Sequence, residues 1–174
     1  MKKEEKIKLK KLYILIGIII VMIVFIDQIT KALMIHYGEI TIIPNVWILK
    51  VNEINNGTYE DTSKVLNILT NFIIICIIFG IIKSNNQFIK KKTKILLTFA
   101  LAGGISNIID RIFRGAVVEF INFANFPPIN IADICIVIGW LSFVAIFASF
   151  SAKELSNKRQ AKEKNTEDKP HKSV

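Results

Sequence analysis

The stretch GGISNIIDRIFRGAVVEFINFANFPPINIAD, residues 103–133, decides the fold, because it sets three carboxylates and two arginines between two strongly apolar segments. Ionisable groups in or beside a bilayer cost on the order of several kcal/mol unless they are paired or hydrated. The stretch is therefore a functional-site hypothesis that comprises Asp110, Arg111, Glu119 and Asp133. A plainer alternative is that Asp110, Arg111 and Arg114 only end a helix at the water interface, but it explains single residues better than it explains the cluster.

The composition describes a small integral membrane protein. The chain has 174 residues, of which 52% are hydrophobic, and its mean hydropathy is +0.45. Such a chain is too apolar for an ordinary soluble domain and too short for more than one membrane domain, which we place at residues 1–150. We predict neither metal nor cofactor, because no His, Cys and carboxylate grouping has zinc-ligand spacing and no nucleotide-binding motif is present. Both cysteines, Cys76 and Cys135, lie in apolar runs and are expected to be free thiols. Any chemistry must come from carboxylates.

The net charge of +9 indicates topology rather than a nucleic-acid partner. Of the 23 basic residues, 18 lie in three clusters that flank apolar segments: six in residues 2–11, five in 83–94 and seven in 153–172. Basic clusters of this kind mark cytoplasmic loops and attract anionic lipid. The chain is therefore expected to be a multi-pass protein with both termini in the cytoplasm, in contact with membrane lipid and not with nucleic acid.

Hydropathy predicts an all-α membrane protein with four transmembrane helices, at about residues 12–35, 66–82, 95–113 and 131–150. A cleaved signal peptide is the alternative for the first segment, but Asp27, Gln28 and Lys31 follow where small residues would mark a cleavage site. Residues 151–174 form a charged tail that we expect to be disordered and cytoplasmic.

Two loops have the alternating pattern of short strands. In the segment Val46 to Val51 side-chain character alternates with a period of two, and Pro, Asn and Gly residues flank the segment. The segment AVVEFINF, residues 116–123, alternates in the same way and carries Glu119. Both loops follow odd-numbered spans, so the topology places them outside the cytoplasm. We therefore predict a small extracytoplasmic β-sheet.

The polar residues of separate spans are predicted to meet at the outer membrane edge. Asp27 and Lys31 are four residues apart on one helical face, and Asn107, Asp110 and Arg111 share another. Asp133 falls in the first turn of the last helix, where a purely capping role is the alternative. Gly103 and Gly104 are expected to let another helix approach closely.

Five short motifs, in this order, resemble those of the lipoprotein signal peptidases, also called type II signal peptidases. They are DQITK at residues 27–31, NNG at 55–57, GG at 103–104 followed by NIIDR at 107–111, VVEF at 117–120 and NIAD at 130–133. The resemblance covers roughly residues 12–150.

The resemblance implies a metal-independent aspartic endopeptidase of the bacterial inner membrane, with its active site at the extracytoplasmic face. The implied reaction removes the signal peptide of diacylglyceryl-modified prolipoproteins by cutting before the lipidated cysteine. The implied catalytic pair is Glu119 and Asp133. Residues implied to support the site or bind substrate are Asp27, Lys31, Asn55, Gly57, Gly103, Gly104, Asn107, Asp110, Arg111 and Asn130. We expect a monomer.

The chain departs from the family pattern at three places. Glu119 stands where the family normally has a catalytic aspartate, Ile129 replaces a Phe, and residues 58–60 replace an aromatic. Two further interpretations therefore stay open. One is a divergent paralog that binds lipopeptides with lost or altered cleavage, and the other is a small transporter component or membrane assembly factor.

Overall fold

The computed structural model describes residues 3–51, 61–84 and 89–167. Four helices dominate it: α1 (Lys3–Tyr37), α2 (Asp61–Lys83), α3 (Lys91–Phe113) and α4 (Ile131–Glu167). Three short strands complete it: β1 (Ile40–Ile43), β2 (Trp47–Leu49) and β3 (Ile121–Phe123). The prediction of a mostly helical membrane protein with a small sheet is confirmed at this level.

Within the described residues, three helices are long and apolar enough to cross a bilayer. They are α1, α3 and the part of α4 that runs from Ile131 to Arg159. In α2 the described apolar stretch is shorter and covers Ile68–Lys83. The predicted number of four spans is thus supported for three helices.

Helix α3 is the centre of the bundle. In the apolar stretch of α3, 56% of the residues are buried, compared with 17% in the apolar stretches of α1 and of α4. Helix α3 therefore packs against protein on most sides. One core cluster joins Leu12 and Ile16 of α1 to Ile82 of α2 and to Leu97 and Leu101 of α3. The outward faces of the helices carry large apolar side chains, as lipid-facing surfaces do.

Small residues on α3 set its distance from the neighbouring helices. A Cβ atom at Gly103 would overlap the carbonyl oxygen of Ala132, and one at Gly104 would meet a side-chain carbon of Ile75 at 3.1 Å. The sequence did not single out Gly139 of α4, yet a Cβ there would overlap Ala100. The expected packing role of Gly103 and Gly104 agrees with these contacts.

The three strands form an antiparallel sheet in the order β1-β2-β3. The turn from β1 to β2 places Asn45 in the left-handed region, with φ of 58°, which asparagine tolerates better than most residues. The sheet packs on α1 through a core cluster of Met34, Phe120 and Ile121. It therefore covers the end of the bundle at which α1 ends.

Two predicted boundaries differ from the structure. The strand predicted for residues 116–123 begins only at Ile121, because the backbone of Val118 bonds to side chains of Asp110 and Asn130 instead of a neighbouring strand. Residues 151–167, predicted to be disordered, continue α4 as helix, and an ion pair of 2.9 Å joins Glu154 and Lys158 one turn apart.

We predict that Gly103→Ala lowers the thermal midpoint of the detergent-solubilised protein, because overpacking of a tight contact costs about 1–3 kcal/mol. Gly80→Ala is the matched control, since nothing lies within 4 Å of a Cβ atom at that helical position. The control should be neutral or slightly stabilising. Equal midpoints for the two variants would contradict the close approach of α3 and α4.

Candidate active site

A fully buried lysine holds two fully buried carboxylates together. The Nζ atom of Lys31 lies 2.6 Å from Oδ2 of Asp27 and 2.6 Å from Oδ2 of Asp110, and all three side chains are 0% exposed. Lys31 also donates to Oδ1 of Asn107 at 3.2 Å. Two negative charges therefore share one cation, which joins α1 to α3.

Asp27 extends this network to the first turn of α4. Its Oδ2 accepts a hydrogen bond of 2.7 Å from the Ser106 hydroxyl, and its Oδ1 accepts one of 2.9 Å from the backbone N–H of Ala132. The predicted pairing of Asp27 with Lys31 is present. The same carboxylate thus satisfies a free N–H group at the start of α4, where negative charge is favoured.

Asp110 accepts hydrogen bonds from α1, from Arg114 at the end of α3 and from the loop before β3. Its ion-pair partner on α3 is Arg114, whereas Arg111 donates to the backbone oxygen of Asn107 at 3.2 Å. Asp110 also accepts from Nε2 of Gln28 at 2.9 Å and from the backbone N–H of Val118 at 3.2 Å. Arg114 is four residues after Asp110 and shares its helical face, whereas the adjacent Arg111 does not. The Arg114 guanidinium also donates to Gln28 of α1 at 2.7 Å.

Two asparagines connect the buried network to Asp133. Asn107 accepts hydrogen bonds on Oδ1 from Lys31 and from Nδ2 of Asn130, each at 3.2 Å, and donates from Nδ2 to Asp133 at 2.8 Å. Asn130 also donates its backbone N–H to Asp133 at 3.1 Å and accepts the backbone N–H of Asp133 at 2.8 Å. Asn130 and Asp133 therefore cap the start of α4 reciprocally, and Asn107 of α3 also binds the Asp133 carboxylate.

Glu119 is partly buried in the loop that precedes β3, close enough to Asp133 for that charge to act on its carboxyl group. Burial raises the pKa of the Glu119 carboxyl above its ordinary value, and the Asp133 charge raises it further. The positive charges of Arg111 and Lys31 act in the opposite direction. A carboxyl with a raised pKa next to a second carboxylate is an arrangement suited to proton transfer.

Most of the predicted site residues meet at one end of the bundle. The described members of this group are Asp27, Lys31, Asn107, Asp110, Arg111, Glu119, Asn130 and Asp133. Asn55 and Gly57 lie outside the described residues. Gly103 and Gly104 lie deeper in the helix packing, each about one turn from Asn107 along α3.

Sequence reasoning missed Gln28, Ser106 and Arg114 as members of the network. Gln28 and Ser106 are polar residues inside otherwise apolar helices, and that signal was available for both. Among the described residues, no three His, Cys, Asp or Glu side chains are grouped so that they could hold a metal ion.

Comparison with curated proteins finds relatives that are bacterial lipoprotein signal peptidases. The protein of Caldanaerobacter subterraneus subsp. tengcongensis is 33% identical over 140 residues, which cover 75% of this chain and 94% of the relative. The protein of Halalkalibacterium halodurans is 31% identical over 153 residues, covering 80% and 97%. That of Rickettsia typhi is 29% identical over 155 residues, covering 79% and 75%.

Two solved structures share the fold. Both are described as a bacterial membrane enzyme determined by the in meso method, at 2.3 Å and 1.9 Å resolution. The first superposes with a TM-score of 0.63 at 23% identity and covers 91% of this chain and 93% of that chain. The second superposes with a TM-score of 0.65 at 23% identity, covering 76% and 91%.

Apolar membrane-length helices with a neighbouring pair of carboxyl groups at one end define a membrane protein equipped for acid–base chemistry. The family model described as signal peptidase (SPase) II matches residues 19–149, which is most of the chain. The chain therefore belongs to the signal peptidase II family and is a peptidase.

We predict that Lys31→Met strongly destabilises the protein, because removing one partner of a buried ion pair costs about 3–5 kcal/mol. Thermal unfolding in detergent measures the effect. Lys50→Met is the matched control, since Lys50 pairs with Glu39 at 3.4 Å while both side chains are about half exposed. Such surface pairs contribute about 0–1 kcal/mol. Similar losses for both variants would contradict the central role of Lys31.

The raised pKa of Glu119 predicts a pH-dependent stability. The folded state holds the Glu119 proton more tightly than the unfolded state, so stability should fall as the pH rises from the ordinary glutamate pKa through the raised pKa. Thermal midpoints measured across this range should show the fall in wild type and lack it in Glu119→Gln. Asp133→Asn removes one of the two causes of the raised Glu119 pKa, namely the Asp133 charge, and should therefore narrow the pH range over which stability falls. Parallel profiles for wild type and Glu119→Gln would contradict the assignment.

Proposed function

We propose that the chain removes the signal peptide from diacylglyceryl-modified prolipoproteins by cutting the peptide bond before the lipidated cysteine. Family membership supports the reaction class. The observation that carries the assignment of the catalytic pair is that Glu119 and Asp133 are both partly buried at the same end of the bundle, where Asn130 joins the backbone of Asp133 to the peptide group that precedes Glu119. The raised pKa of Glu119, to which the charge of Asp133 contributes, agrees with this placement. Two carboxyl groups that resist simultaneous ionisation are the requirement of an aspartic-type peptidase.

In the proposed mechanism Glu119 begins protonated and Asp133 begins ionised. Asp133 accepts hydrogen bonds from Asn107 and from the Asn130 backbone, and these bonds fix the orientation of the proposed base. Asp133 then takes a proton from the attacking water, while Glu119 gives its proton to the oxygen of the scissile carbonyl. The proton taken by Asp133 later passes to the leaving amine. The dyad shares its protons and titrates as a pair.

The remaining polar residues position the dyad. Asn107 contacts both Lys31 and Asp133, so the buried ion pairs fix the orientation of the amide that holds the base. Asn130 caps the helix that carries Asp133 and also donates to the backbone oxygen of Val118 at 3.1 Å, next to Glu119. A single hydrogen-bonded chain thus supports both carboxyl groups. We assign no cofactor or metal to this mechanism.

A divergent paralog that binds lipopeptides with lost or altered cleavage is the second candidate, and one observation favours it. The backbone on both sides of Glu119 is held in place, at Val118 by Asp110 and at Phe120 by the carbonyl oxygen of Ile129, at 3.2 and 3.1 Å. The backbone therefore has little room to shift away from the site, although the Glu119 side chain is one methylene longer than the aspartate implied by the resemblance. A misplacement of about 1 Å can cost on the order of a hundredfold in rate. The family assignment argues against a transporter or assembly factor.

We place the protein in the bacterial cell membrane as one domain, residues 1–150, with four spans, α2 being the fourth. The termini and the tail after residue 150 lie in the cytoplasm, and the sheet and the carboxyl pair lie outside it. The support is that the three basic clusters flank one end of the helices and the site lies at the other. We propose a monomer in contact with lipid and not with nucleic acid.

Cysteine labelling of intact cells tests this orientation. In a background with Cys76→Ala and Cys135→Ala, a membrane-impermeant thiol reagent should label Asn125→Cys and should not label Lys11→Cys until the cells are permeabilised. The expected difference follows from the positive-inside rule. Labelling of Lys11→Cys in intact cells would place the carboxyl pair on the cytoplasmic side.

The decisive activity test compares wild type, Glu119→Gln and Glu119→Asp on a diacylglyceryl-modified prolipoprotein in a purified assay. If Glu119 transfers a proton, Glu119→Gln should reduce cleavage by about 100- to 10,000-fold, because it keeps the shape and removes the titrating group. Glu119→Asp should then be neutral or harmful. Glu39→Gln, an exposed position near β1, serves as the control and should keep wild-type activity.

The paralog hypothesis predicts the opposite pattern in the same assay. Wild type should be inactive, Glu119→Gln should change nothing, and Glu119→Asp should gain turnover. Wild-type cleavage that survives Glu119→Gln would contradict a catalytic role for Glu119 under either hypothesis.

A further inference from the structure

A cleft opens between α3 and α4 at the end of the bundle opposite the carboxyl pair. Its volume is about 880 Å³, and its lining combines basic, polar and apolar side chains: Lys90, Thr93, Ile146, Ser149, Phe150, Lys153, Glu154 and Asn157. Thr93 and Asp110 are 17 residues apart on α3, which corresponds to roughly 26 Å along the axis. The cleft therefore lies at the other membrane face and takes no part in the site described above.

The start of α3 forms one side of this cleft. Helix α3 begins at Lys91, its N-cap residue Lys90 makes no side-chain hydrogen bond, and its first turn holds no acidic residue. The first backbone N–H groups of a helix attract anions. The lysine side chains of Lys90 and Lys153 add two charges that are not in ion pairs among the described residues.

A buried threonine provides an independent indication of a ligand. Thr93 lines the cleft and is only 6% exposed, and no hydrogen bond of its hydroxyl is found within the described residues. The hydroxyl is not one of the fully enclosed polar atoms, so it is accessible from the cleft. By contrast, the Ser149 hydroxyl already donates to the carbonyl oxygen of Ala145 at 2.7 Å. Glu154, the one carboxylate in the lining, is paired with Lys158 at 2.9 Å. The free donors and the unpaired charge in the cleft therefore suit an anionic group.

An apolar groove continues the cleft toward the middle of the bundle. It has a volume of about 120 Å³ and is lined by apolar residues of α2, α3 and α4, among them Ile78, Leu97, Ala100, Trp140 and Phe143. Leu97 lies one turn beyond Thr93 on α3, and Phe143 lies one turn before Ile146 on α4. The groove and the cleft therefore follow the same line of contact between α3 and α4, which is called the seam below. The overlap that a Cβ at Gly139 would make with Ala100 marks where this seam closes.

We propose that the seam binds an anionic glycerophospholipid of the adjacent leaflet. Its phosphate would accept hydrogen bonds from Thr93 and from the start of α3, between Lys90 and Lys153, and one acyl chain would lie in the groove beside Trp140. A free phosphate ion would use the polar end alone and would leave the groove without a role. The continuity of a cationic cleft with an apolar groove favours the lipid.

Trp140 provides a direct measurement of binding. The chain has two tryptophans, Trp47 and Trp140, so full-length Trp47→Phe protein in detergent reports on Trp140 alone. Phosphatidylglycerol with brominated acyl chains should quench Trp140 at a concentration roughly tenfold or more below that needed for brominated phosphatidylcholine, because two lysines attract its charge. The reciprocal Trp140→Phe protein, in which Trp47 reports from the sheet at the other end, should show no such preference.

Variants of the lining residues distinguish a specific lipid site from a general attraction of anionic lipid to basic residues. Lys90→Ala with Lys153→Ala should lose most of the preference, and Thr93→Val, which keeps the shape and removes the hydroxyl, should weaken it further. Lys8→Ala with Lys11→Ala is the matched control, since it removes two lysines on α1 at the same end of the bundle, and it should leave the preference unchanged.

Competition distinguishes a lipid from a free anion. Unbrominated phosphatidylglycerol should restore Trp140 fluorescence, whereas inorganic phosphate and glycerol phosphate should not. Restoration by inorganic phosphate would overturn the lipid assignment. Equal quenching by the two brominated lipids, or an unchanged preference in the Lys90, Lys153 and Thr93 variants, would overturn the site itself. None of these readouts depends on peptidase activity.

Discussion

The rest of the structure depends on the contact of Lys31 with Asp27 and Asp110. Three charged side chains at zero exposure are stable only if they satisfy one another, because an unpaired buried charge costs several kcal/mol, on the order of what a whole domain has in net stability. The two carboxylates exceed the single lysine by one negative charge. Gln28, Ser106, Arg114 and backbone N–H groups of Ala132 and Val118 supply the compensating donors. The network is complete only when α1, α3, α4 and the loop before β3 are all in place.

This requirement makes the position of the carboxyl pair a consequence of folding. Ala132, whose N–H bonds to Asp27, is next to Asp133, and Val118, whose N–H bonds to Asp110, is next to Glu119. Each residue of the pair is thus one peptide bond away from a backbone group that a buried carboxylate holds. The buried carboxylates Asp27 and Asp110 hold the helices and the loop together, whereas the partly buried Glu119 and Asp133 are the pair proposed to react. Environment, rather than residue type, separates the two roles.

The sequence predicted the parts of the site that follow from helix geometry. Asp27 with Lys31, and Asn107 with Asp110, lie on common faces at spacings of three or four residues, so their convergence needed only the right order of spans. The same rule favours Arg114 over Arg111 as the partner of Asp110, because Arg114 is four residues away and Arg111 is adjacent. The sequence does not reveal that Gln28 on another helix also binds Arg114. The start of β3 was misjudged for a related reason. Alternation predicts side-chain directions, but it does not reveal that Asp110 and Asn130 engage the backbone of Val118.

The positions of the small residues explain why the two ends of the α3–α4 seam differ. At the site end, Gly103 faces the Ala132 carbonyl and Gly139 faces Ala100, and these contacts bring the backbones close enough for Asn107 to reach Asp133 across the seam at 2.8 Å. Beyond Gly139 the larger side chains of Phe143, Ile146 and Phe150 line the groove and the cleft. At that end the cleft opens beside the first turn of α3, where Lys90, Thr93 and Lys153 line it. Close packing that orients the carboxyl pair and a cleft that accepts lipid are therefore opposite results of one residue pattern along a single pair of helices.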